Sequence, residues 1–70
     1  MKKTWKIDVP SCPGYSFAVR CDADTASDAI EMAAKADLFD DKYEANYASA
    51  EDISDDEYTL NAFKNCTTEI

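Results

Sequence analysis

The sequence has no histidine, one glycine, and seven lysine or arginine residues against fifteen aspartate or glutamate. Each shortage removes a class of function. Without histidine no side chain has an ordinary pKa suited to a general base near neutrality, and the lone Gly14 cannot build a phosphate-cradling loop. The scarcity of bases gives a net charge of −8, the wrong sign for direct binding to nucleic acid or an anionic membrane. No uncharged run approaches the roughly 18 apolar residues that span a bilayer. Met1-Lys2-Lys3-Thr4-Trp5-Lys6-Ile7-Asp8 has the basic start of a signal peptide without an apolar stretch behind it, so a cytoplasmic location is expected.

Cysteine is also sparse. Cys12, Cys21 and Cys66 are an odd number, which argues for reduced thiols, and they fall short of the four or so ligands of a structural zinc site. Cys12 lacks a cationic neighbour to activate it, and Cys21 and Cys66 read as small core residues. Calcium loops fail as well: Ala26 and Ser27 break the pattern opened by Asp22 and Asp24, and in Asp52-x-Ser54-x-Asp56 the turn glycine is replaced by Glu57 and the closing glutamate by Phe63. Paired carboxylates would need a cleft that so small a chain scarcely offers. The expectation is a protein that is not an enzyme and needs no metal or cofactor.

What is present reads as one domain over residues 1–70, since a chain of this length buries only about 60% of its unfolded surface and has room for one core. Trp5, Ile7 and Val9 alternate with Lys6 and Asp8. Tyr15, Phe17, Val19 and Cys21 alternate with Ser16, Ala18 and Arg20, and the Pro-Gly turn signal lies between the runs. Closing this hairpin sets Ile7 opposite Phe17 and Trp5 opposite Val19. Asp24 or Thr25 caps a helix running to Ala36, with Asp28 in its first turn and a Glu31–Lys35 pair on the side away from Ala26, Ala29, Ile30, Ala33 and Ala34.

Further along, Tyr43, Ala45 and Tyr47 alternate as a third strand. Ser54-Asp55-Asp56-Glu57 matches a capping box, predicting a short second helix with Tyr58, Ala62 and Phe63 on one face. The alternative is that Tyr58, Leu60 and Ala62 form a strand that turns at Lys64-Asn65 into Cys66 to Ile70. The fold class expected is α+β: an antiparallel sheet of three or four strands, β-hairpin first, with one main helix on one face and a short second helix.

The acidity is segregated. Between Asp37 and Glu57 stand nine acids (Asp37, Asp40, Asp41, Glu44, Glu51, Asp52, Asp55, Asp56 and Glu57) against the single base Lys42, while the rest of the chain is neutral. A segregated field steers a basic partner, and carboxylates at close spacing imitate the phosphates of duplex DNA. Interleaved Phe39, Tyr43, Tyr47 and Tyr58 either add apolar contacts there or belong to the core. The nine acids are the candidate partner-binding residues.

In its size, its Trp5 to Cys21 hairpin leading into the Thr25 to Ala36 helix, and its acidic block, the chain resembles the small acidic proteins that phages and mobile elements direct against bacterial defence, in particular anti-CRISPR proteins against type I surveillance complexes. The resemblance implies an inhibitor that occupies the DNA-binding or PAM-reading surface of a Cas subunit; the expectation is a monomer in the bacterial cytoplasm that binds a basic nucleic-acid-binding protein and blocks DNA binding by occupancy. An antitoxin-like or adaptor protein capping a basic partner, and a housekeeping domain whose acidity serves solubility, are the alternatives.

Overall fold

The computed structural model describes residues 2–9, 16–39 and 45–70. The hairpin forms as its periodicity requires: β1 (Lys3–Asp8) pairs antiparallel with β2 (Ser16–Cys21), with Trp5 opposite Val19 and Ile7 opposite Phe17. Cys12, Tyr15 and the expected Pro-Gly turn lie outside the described residues. Thr25 caps helix α1 (Ala26–Lys35), its hydroxyl oxygen accepting from the Asp28 N–H at 3.1 Å, and Glu31 and Lys35 form the expected ion pair at 3.2 Å. Ala29 and Ala33 are wholly buried, small enough to bring α1 close onto the sheet, whereas Ala34 turns outward.

The end of α1 is unusual. Leu38 N–H returns to the Ala33 carbonyl and Asp37 N–H to the Ala34 carbonyl, both at 3.1 Å, a Schellman ending that places Asp37 in the left-handed region at φ 59°. Glycine is the usual occupant, and a carboxylate here also faces the negative end of the helix dipole. Asp37→Gly is therefore expected to stabilise the fold by about 0.5–1 kcal/mol, read as a higher urea midpoint with an unchanged slope. A lower midpoint would mean that the Asp37 side chain itself holds the turn.

The third strand is not where the alternation of Tyr43, Ala45 and Tyr47 places it. Residues 45–48 end in a turn, with Ala48 N–H reaching the Ala45 carbonyl at 3.4 Å and Tyr47 72% exposed, while Tyr43 and Glu44 lie outside the described residues. β3 is Ser49–Asp52, antiparallel to β1. Its local pattern is poor, but Glu51 lies opposite Lys6 and the small Ala50 lies opposite Ile7 and packs on the core, so non-local pairing decides the register.

Helix α2 (Glu57–Ala62) confirms the helical reading of this segment. Its cap differs from the one expected: Asp56 caps the helix, because the Ser54 hydroxyl is already taken by the Thr4 N–H at 3.0 Å. Tyr58 and Ala62 point to solvent, leaving Leu60 and Phe63 half-buried. The chain closes with β4 (Thr67–Glu69), which pairs parallel with β2, so the four-stranded sheet, in order β3-β1-β2-β4, is mixed and not wholly antiparallel. Cys66, before β4, is exposed instead of in the core, since the parallel strand begins only after it; Cys21 is fully buried as expected.

Because β2, β3 and β4 all run one way, α1 and α2 are both crossover connections, and they cross the sheet in opposite directions. The right-handed rule then puts them on opposite faces. Burial agrees with this. Trp5, Ile7, Val19 and Cys21 join Ala29, Ala33 and Phe39 in the main cluster, whereas Thr4, Ala18 and Ile53 face the other way and are buried outside it.

Candidate functional site

Five of the nine candidate acids fall in one short stretch that passes from β3 through a turn into α2: Glu51, Asp52, Asp55, Asp56 and Glu57, all exposed. Asp37 stands apart in sequence at the end of α1, and Asp40, Asp41 and Glu44 lie outside the described residues. β3 is the edge of the sheet, so its pleat carries Glu51 and Asp52 to opposite faces of a free margin.

These five carboxylates differ in how they are held. The Ser54 hydroxyl and its backbone N–H, the latter at 3.0 Å, keep the Asp52 carboxyl below the usual aspartate range. The Thr59 hydroxyl at 2.7 Å and its N–H at 3.1 Å do the same for Asp56. Asp52 and Asp56 thus organise the turn and the α2 cap. Glu51, Asp55 and Glu57 have no described hydrogen-bond or ion-pair partner: Lys2 pairs with Glu69, Lys35 with Glu31, and the Lys6 ammonium leans to Asp8 at 3.7 Å.

The lowered pKa values carry a pH dependence. Asp52 and Asp56 bind fewer protons when folded than when unfolded at mildly acid pH, so their stabilisation is complete above the unfolded aspartate value near about 3.9 and disappears as pH falls through the folded values. Urea midpoints should drop with acid over that window. Asp56→Asn, which keeps a capping oxygen, should flatten the drop without removing the helix, and an unchanged profile would place the acid sensitivity elsewhere.

Of the aromatics in question, Phe39 is buried with its ring edge-on to Phe17 at 5.4 Å, and Tyr43 lies outside the described residues. Tyr47 and Tyr58 are exposed at 72% and 87%. Tyr58 follows Glu57 directly, so an aromatic ring stands beside the acidic turn. Burial pushes the Cys21 thiol up and removes it as a nucleophile. A cleft of about 210 Å³ along α1, lined by Asp22, Asp28, Glu31, Met32 and Lys35, is smaller than ordinary ligand sites. Among the described residues no group of three or more His, Cys, Asp or Glu is arranged to hold a metal, and no helix is long and apolar enough to cross a membrane.

No protein-family model, curated protein or solved structure matches the chain.

Proposed function

We propose that this protein is a non-enzymatic inhibitor that sets the acidic β3–α2 margin into the basic groove of a bacterial nucleic-acid-binding protein and excludes DNA by occupancy. The observation that carries the reading is the run Glu51 to Glu57, five exposed carboxylates in seven positions, three of them without a described partner. A surface serving solubility gains from interspersed charges of both signs, whereas an unmixed run beside an exposed tyrosine supplies both a steering field and a contact ring. The resemblance to type I anti-CRISPR proteins names the class of target, a Cas subunit that holds DNA.

The test is DNA release. Purified type I surveillance complexes carrying labelled target duplex are titrated with the protein, and dose-dependent release that weakens steeply with added salt is expected. Complexes that keep their DNA at saturating protein refute the proposal. Binding without release would instead support an adaptor or antitoxin-like protein that caps a basic partner.

A further inference from the structure

The free margin of β3 offers more than charge. Ile53 N–H donates to the Thr4 carbonyl at 2.9 Å, which fixes the phase of the β1–β3 ladder: Ile53, Glu51 and Ser49 turn their backbone groups toward β1. Ala50 and Asp52 therefore present their N–H and C=O groups outward. The Ile70 N–H to Arg20 carbonyl bond at 2.9 Å, on the far side of β2, follows the same alternation across the sheet. Neither Ala50 nor Asp52 has a backbone partner on the outer side among the described residues, so within them β3 is the sheet edge with four outward backbone groups unpaired.

We propose that this edge accepts an extended segment of the partner protein as a fifth strand, and that the segment carries two successive lysine or arginine residues. The spacing follows from the pleat. Glu51 and Asp52 point to opposite faces, so an added strand meets both carboxylates with neighbouring residues, one on each face. A second copy of this chain is the poorer occupant, because pairing β3 with itself sets Glu51 and Asp52 of both copies along one seam. The inference rests on the proposed basic partner and adds the mode of its attachment.

The probe is an end-capped peptide, Thr-Val-Lys-Lys-Val-Thr, titrated into the full chain while amide hydrogen exchange is followed. Slowed exchange at Ala50 and Asp52, and binding weakened at least about tenfold when every peptide amide is N-methylated, are the expected results. Ala50→Pro, which removes an outward N–H without touching the β1 ladder, should weaken binding similarly, and Glu in place of the two lysines should abolish it. If the methylated peptide binds as well as its parent and exchange at Ala50 and Asp52 is unchanged, edge pairing is overturned while a basic partner survives. Failure of both peptides to bind also overturns it, and the DNA-release assay then decides the fate of the proposed function separately. Protection of Ala50 and Asp52 that rises with protein concentration in the absence of peptide overturns it in favour of self-pairing.

Discussion

Reversing Glu51, Asp55 and Glu57 to lysine together is expected to reduce DNA release from the target by about a hundredfold or more, with the fold intact. The three are chosen because their carboxylates have no described structural duty, while Asp52 and Asp56 bond the backbone and would confound binding with stability. Each swap changes the charge by two, moving the net charge from −8 to −2, so long-range attraction to a basic groove is largely removed as well as three direct contacts. Charge reversal at an interface adds repulsion to lost attraction, and about 1 kcal/mol per site suffices for the predicted loss. The salt dependence of whatever release remains should be shallower. Release within about twofold of the wild type, with unchanged circular dichroism, would remove the acidic margin as the working surface.

How much of this surface was visible in the sequence depended on where its constraints come from. The hairpin was legible because alternation and a Pro-Gly turn are local signals, and α1 because its cap, alanine stripe and Glu31–Lys35 pair sit within a few residues of one another. β3 was not. Ser49-Ala50-Glu51-Asp52 lacks strand-like alternation and is held by partners more than 40 positions away, while the more strand-like Tyr47 is left in solvent. The α2 cap shows the same cause: both Ser54 and Asp56 suit the role, and the choice is made by the Thr4 N–H, 50 positions distant.

Segregation of the acids was plain from counting, and the structure divides those it describes into groups with different work. Asp37 ends a helix, Asp52 and Asp56 bind backbone, and Glu51, Asp55 and Glu57 are left facing solvent. The open backbone at Ala50 and Asp52 had no sequence signal of its own, because edge position belongs to topology.

Ile7→Ala is expected to cost about 2–5 kcal/mol and to leave a large part of the population unfolded. Ile7 is fully buried on β1, between Phe17 of β2 and Ala50 of β3, so its side chain joins the hairpin to the edge strand β3. A chain of this length has roughly 4–10 kcal/mol of total stability, and the alanine would remove up to most of it. Trp5 is a less clean probe, because its buried indole Nε1 has no hydrogen-bond partner among the described residues and replacing it would relieve one cost while creating another. Tyr58→Ala supplies the contrast: at 87% exposure it should change stability by no more than about 0.5 kcal/mol while weakening any partner contact that uses the ring. Urea titrations of the two variants separate the roles. A loss below about 1 kcal/mol for Ile7→Ala would mean that the main cluster does not carry the fold, and β3 would then need another anchor to be a rigid docking edge.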